Sequence, residues 1–285
     1  MKGPSAAVND SSLQVAVRSQ LLQWFDTPLG RSLQAVEAHR LRTVLPQLYG
    51  TVALQLGRIG KLDLLDASAT PTRVVLDIGA PRPSKNRKNR HVEQLLTGSR
   101  TSVVLGESDA LPLDERSVDV VLLPHTLDFC GDPHPILREV SRVLRPEGHV
   151  VILGFNGMSL WGLRRLIARR PRVAPWCGHF FRLARVKDWL GLLDFECTHG
   201  GMLYYRPPVM GESTMDRLYF LEKAGDRWWP MMAAVYMVVA KKRVFGMTPL
   251  PVEWKKPKAT RLVGTEPAVR GVLIQGWDRK VSHDE

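Results

Sequence analysis

With 285 residues, 44% of them apolar, the chain can bury a substantial core, and its bulk composition points away from a disordered or fibrous protein. A formal charge of +12 raises the local concentration of anionic partners without choosing among nucleic acid, acidic lipid and phosphorylated metabolites. The three cysteines, Cys130, Cys177 and Cys197, form no C-x-x-C pair, which argues against a metal site or a disulfide framework and favours a reducing, cytoplasmic setting.

The N-terminal stretch MKGPSAAVNDSS lacks the apolar core of a signal peptide. Residues 1–50 read as a helical extension. Thr27 followed by Pro28 suits an N-cap and first helical position, because proline has no amide hydrogen to leave unpaired there. Leu29, Leu33, Val36, Val44, Leu45 and Leu48 then recur at mostly helical spacing. This region is expected to pack onto the domain and to take no part in catalysis.

From Thr51 the pattern changes. Short runs rich in Val and Leu (Thr51–Leu56, Arg73–Ile78, Ser102–Leu105, Val118–Leu123 and His149–Leu153) alternate with helical stretches. Such runs suit parallel strands buried on both faces, so the fold class is α/β: a doubly wound, mostly parallel sheet. The clearest helix is Pro135–Leu144, stopped by Pro146 and Gly148. Val186–Leu193 reads as a helix leading into a strand at Phe195–Thr198, and Ala234–Ala240 as the last strand. The longest apolar run, Trp228–Ala240, is broken by Pro230 and falls short of the ~20 residues of a transmembrane helix. The expected domain spans residues 51–243. Residues 244–285 follow as a basic tail; counted from Lys241, the end of the chain holds ten Lys or Arg against five Asp or Glu.

The informative string is Gly106–Asn156, GESDALPLDERSVDVVLLPHTLDFCGDPHPILREVSRVLRPEGHVVILGFN. An acid, Glu107, lies five positions before the proline of a Leu-Pro pair. A short acidic turn and an S-x-D-V-V strand follow, then a small polar loop with His125. A D-P-x-x-x-L-R-E helix ends in L-R-P-x-G before another strand. These landmarks resemble the class I S-adenosylmethionine-dependent methyltransferases, in particular the type 11 branch. The resemblance implies a Rossmann-like methyltransferase fold with S-adenosyl-L-methionine as cofactor.

In a doubly wound sheet, ligands bind beyond the carboxyl ends of the strands at the switch point. That rule places Glu107 and the amide of Ser108 near an adenine, with Pro124 and His125 lining the same crevice. The glycine turn has two registers. VVLDIGAP, Val74–Pro81, begins like one, but prolines replace the amides that should face a ligand, and only thirty residues separate Asp77 from Glu107. The preferred register lies upstream at ALQLGRIG, Ala53–Gly60. Gly57 precedes Asp77 by twenty residues there, matching the step of roughly 20 residues from a glycine turn to a ribose-binding acid. The expected cofactor set is therefore Gln55, Gly57, Gly60, Asp77, Glu107, Ser108 and Pro124. Against the family's D-x-G-x-G-x-G, the turn carries Gln55, Ile59 and Lys61 where an acid and two glycines are usual.

For chemistry, His125 is the candidate general base, since an imidazole titrates near neutrality. Phe155–Arg170 reads as a basic amphipathic helix, with Leu160, Leu163, Leu166 and Ile167 opposite Arg164, Arg165, Arg169 and Arg170. It suits a lid over a small-molecule or lipid-like acceptor, or a peripheral membrane contact through residues 158–170. Tyr204, Tyr205 and Arg206 are further pocket candidates. The cluster Arg82–His91 holds five Lys or Arg and no acid, yet no aromatic residue offers a base-stacking platform, which disfavours nucleic acid as partner. The competing readings are a non-catalytic member of the fold that binds a partner or RNA through its basic surface, and a nicotinamide dehydrogenase with a poor glycine fingerprint.

Overall fold

The computed structural model describes residues 16–78, 101–106, 108–167, 173–208, 217–218 and 220–243. The chain divides into two compact units, Met1–Phe245 and Gly246–Glu285, and all the described residues belong to the first. The candidate Glu107, the basic cluster Arg82–His91 and residues 244–285 lie outside the described residues.

Seven strands form one sheet: β1 (Val52–Leu56), β2 (Thr72–Ile78), β3 (Thr101–Gly106), β4 (Val118–Pro124), β5 (Leu144–Phe155), β6 (Phe195–Leu203) and β7 (Val235–Lys242). Their spatial order is β3-β2-β1-β4-β5-β7-β6. β1 pairs in parallel with β2 and β4, and β7 is antiparallel to β5 and β6. This is the doubly wound, mostly parallel α/β sheet expected from the alternating runs. Chain direction reverses sides at β1 and β4, so the switch-point crevice opens beyond Leu56 and Pro124. β6 runs five residues past its expected end, and β7 is shifted toward the C-terminus.

Two apolar layers sandwich the sheet. On one face, α1 (residues 16–25) and α2 (Pro28–Val44) bring Leu21, Phe25, Leu29 and Leu33 against Ala53, Val120, Leu122 and Phe155. Alternation then sends Leu54, Leu56, Val121 and Leu123 to the opposite face. There they meet α3 (Pro133–Val143) and α5 (Leu183–Gly191) through Ile136, Val140, Val186 and Leu190. The α2 start follows its sequence signal: Thr27 Oγ1 accepts from the Gly30 amide at 3.2 Å, with Pro28 in the first turn. α3 begins two residues earlier than expected because Asp132 caps the His134 amide at 3.0 Å. At the opposite end of the sheet, Asp119 ties the amides of Thr51 and Val52 to Arg145, which fixes β1 beside β4 far from the crevice.

The remaining helices are α4 (Leu160–Ile167) and α6 (Phe220–Trp228). None of the described helices is long and apolar enough to cross a membrane.

Candidate functional site: the switch-point crevice

The turn after β1 occupies the place where a doubly wound fold receives a ligand. Gly57 and Gly60 adopt φ of +85° and +56°, a left-handed conformation that side chains resist. The Gly57 amide donates to the Leu76 carbonyl at 2.8 Å, binding the turn to β2. Ile59, where the family usually has glycine, turns inward into the core beneath the N-terminal helices. Its carbonyl accepts from Gln34 Nε2 at 2.7 Å, and the Gln34 side chain fills the space beside Gly60. Lys61 instead points outward, pairing with Asp26 at 3.0 Å. The departures from the glycine pattern are thus absorbed by α2 and the α1–α2 connection.

Gln55 is buried on β1. Its Nε2 donates to the Gly57 carbonyl at 2.9 Å, and its Oε1 has no partner. Asp77 ends β2 with a mostly buried side chain, and Arg58 Nη1 stands 3.9 Å from its Oδ2. Burial pushes its carboxyl pKa up, while Arg58 and Arg18 pull it back down. Ser108 and Pro124 are buried at the ends of their segments. Gln55, Gly57, Gly60, Asp77 and Pro124 therefore gather at the carboxyl ends of β1, β2 and β4.

The structure places His125, the candidate general base, between two carboxylates inside the protein. The residue has φ of +51° and is fully buried. Its Nε2 lies 2.8 Å from Glu37 Oε1 and its Nδ1 lies 2.9 Å from Asp128 Oδ2. Phe155 stacks on the ring at 4.1 Å between centroids. Burial disfavours the charged ring, but Glu37 and Asp128 outweigh it and raise the pKa from 6.5 to about 9. Burial also pushes the Asp128 carboxyl up, against the His125 hydrogen bond, which pulls it down. With both ring nitrogens hydrogen-bonded, the ring must give up one of these contacts to take a proton from an acceptor. Cys130 is equally unsuited to nucleophilic work, as burial and the nearby Asp128 hold its thiol up at about 12.

The N-terminal helices also depart from expectation. They place Arg18, Gln34 and Glu37 in the crevice, where all three are buried. Sequence reasoning passed over them because isolated polar residues on an amphipathic helix look like its solvated face; Asp128, three residues beyond His125, carried a local signal. Unpartnered buried atoms concentrate here: Arg18 Nη1, Glu37 Oε2, Gln55 Oε1 and Asp128 Oδ1. Buried polar groups are normally paired, so a cluster of orphans marks the place for a polar ligand.

On α4 the aliphatic side chains are exposed, and Trp161 is the residue that packs inward. Trp161 is buried and donates through Nε1 to the Arg206 carbonyl at 3.0 Å. The Arg164 guanidinium sits over the Trp176 ring at 4.7 Å, and that of Arg165 over Phe180 at 5.6 Å. Leu160, Leu163, Leu166 and Ile167 instead face outward, with Leu166 79% exposed and Ile167 69%. Leu160, Leu163, Arg164 and Ile167 line a groove with Pro207 and Pro208. Of the later candidates, Tyr204 is buried against Trp161, and Arg206 pairs with Glu222 at 2.9 Å. Tyr205 donates its hydroxyl to the Pro230 carbonyl at 3.3 Å. Tyr204 and Arg206 thus pack under Trp161 of α4, and Tyr205 lies against α6.

A family model described as "Methyltransferase domain" matches residues 52–152, the stretch from β1 through most of β5. Over that stretch the chain is similar to a methyltransferase domain. It is similar to the Escherichia coli (strain K12) protein YafS, 29% identical over 245 residues that cover 85% of this chain and 90% of the relative. It is also similar to the ubiquinone/menaquinone biosynthesis C-methyltransferase UbiE of Ruegeria sp. (strain TM1040), 30% identical over 32% of this chain and 36% of that one. Among solved structures, a SAM-dependent methyltransferase of Thermotoga maritima described as a possible histamine N-methyltransferase shares the fold. Its TM-score is 0.56 at 18% identity, covering 81% of this chain and 99% of the other. The methyltransferase domain takes S-adenosylmethionine as its cofactor, and the residues present fit that group. The orphaned Gln55 Oε1 is an acceptor for an ammonium, and Asp77 lies near the end of β2, where a ribose diol is held in this fold.

Proposed function

We propose that this methyltransferase acts on an apolar, lipid-like acceptor that it meets at a membrane surface. The observation that carries the reading is the outward apolar face of α4. A soluble helix normally buries its apolar stripe, yet here the arginines pack on aromatic rings and four aliphatic side chains face solvent. Met158 before the helix and Met231 in the Pro230–Met232 turn are also exposed, and Asn156 Nδ2 ties that turn to the helix approach by donating to the Met231 carbonyl at 2.8 Å. The relative UbiE, named for quinone biosynthesis, points to the same kind of acceptor.

When bound, S-adenosylmethionine supplies an electrophilic methyl group: its carbon–sulfur bond breaks as the bond to the acceptor forms, and S-adenosylhomocysteine leaves. The chain's own residues then have three tasks. Gln55, Asp77 and the glycine turn orient the cofactor. Phe155, stacked on the His125 ring and on Trp161, helps keep water from the crevice. The Glu37–His125–Asp128 cluster locks α2 onto the end of β4, so His125 positions the crevice wall and leaves any acceptor proton to pass to solvent.

The test is a methyl-transfer assay with labelled cofactor against the membrane-lipid and aqueous fractions of a cell extract, with product mass identification. Label in a lipid-soluble product is the expected result. Label confined to a water-soluble acceptor refutes the apolar reading.

A further inference from the structure

The first helix brings a cation to the glycine turn that none of the described residues pairs with at close range. The Arg18 side chain, from α1, is buried. Its guanidinium lies directly over Gly57: a Cβ added to that glycine would sit 1.7 Å from Nη2. Among the described residues Arg18 makes no ion pair, and Nη1 has no hydrogen-bond partner. Burial pushes its pKa down; Asp77, Cys130 and Asp128 favour the charged form from a distance. A guanidinium hidden from water with a free N–H is costly unless an anion completes it.

A second observation lies on the same turn. Gln55 donates one amide hydrogen to the Gly57 carbonyl and leaves Oε1 as a neutral buried acceptor. The turn thus has a positive donor above Gly57 and a neutral acceptor at its start. That pair suits a zwitterion, a carboxylate beside an ammonium.

We propose that Arg18 holds the α-carboxylate of the cofactor's methionine end, with Gln55 Oε1 taking its ammonium. The inference rests on the domain's use of S-adenosylmethionine. It accounts for an eroded glycine turn that keeps Gly57: charge recognition has passed from the turn to the first helix, and only glycine leaves room for the guanidinium. It also makes α1 part of the cofactor site.

Calorimetric titration with three ligands tests this: S-adenosylhomocysteine, its decarboxylated analogue, and methylthioadenosine, which lacks the amino-acid end altogether. The parent should bind S-adenosylhomocysteine about tenfold or more tighter than the decarboxylated analogue, as a charge-assisted hydrogen bond implies. R18Q should erase that preference while binding methylthioadenosine like the parent, and R18K should keep part of it. The proposal is overturned if R18Q binds S-adenosylhomocysteine as the parent does, or if it loses S-adenosylhomocysteine and methylthioadenosine by the same factor, the mark of a merely structural arginine. A parent that binds methylthioadenosine yet ignores the carboxylate overturns it as well and leaves the cofactor assignment standing. A parent that binds none of the three removes the cofactor assignment and this proposal together.

Discussion

Replacing Glu37 by glutamine removes one of the two carboxylates that flank His125 while keeping the shape of the side chain. In the folded protein the ring's pKa is raised from 6.5 to about 9. A raised pKa means that the imidazolium contributes its full stability below pH 6.5 and loses it as pH rises through about 9. A tenfold change in proton affinity corresponds to ~1.4 kcal/mol, so the tighter hold on this proton in the folded parent contributes about 3 kcal/mol. In E37Q the buried ring faces Asp128 alone, its pKa falls back, and the variant should be about 2–3 kcal/mol less stable at pH 6.5. The gap should close toward pH 9.5, because the parent has by then lost what the variant never had. Urea unfolding of both proteins at pH 6.5, 7.5, 8.5 and 9.5 measures this. Parallel stability curves for parent and variant across that range would refute a charged His125 held between Glu37 and Asp128.

Three further outcomes are expected. G57A should destabilise the fold by ~1 kcal/mol or more, from the positive φ and the collision with Arg18, and should weaken S-adenosylhomocysteine binding in the same titration. D77N should leave the unfolding midpoint nearly unchanged and weaken S-adenosylhomocysteine about tenfold, through loss of a charge-assisted acceptor at the end of β2. L166D and I167D replace side chains that face water, so stability should move by no more than ~0.5 kcal/mol. Flotation with anionic phospholipid vesicles should nonetheless show clear loss of binding in both; unchanged flotation contradicts a membrane-facing α4.

The sheet was legible because its strands are buried on both faces and read as unbroken Val and Leu runs, and β1, β2 and β4 lie within about one residue of where those runs place them. Register was legible for a steric reason: prolines after Gly79 and the short step from Asp77 to Glu107 left room for only one strand order, and β1 does sit at the sheet centre beside β2 and β4. The N-terminal contribution was hidden. Arg18 and Glu37 become buried only because their helices cross the polar ends of the strands, a tertiary fact that no local period encodes. Helix α4 shows a related limit. Periodicity separated its aliphatic side from its arginine side, but not that Trp161 is the residue that packs inward or that Trp176 and Phe180 lie under the guanidinium groups of Arg164 and Arg165. His125 was found by position and its role changed by its partners, since Asp128 is three residues away and Glu37 comes from a distant helix.

The most direct measurement of the central claim is a calorimetric titration of the full chain with S-adenosylhomocysteine, the parent beside D77N. A crevice built for the cofactor predicts saturable one-to-one binding in the micromolar range that D77N weakens. No heat of binding up to millimolar ligand, or equal affinity in parent and D77N, would contradict it.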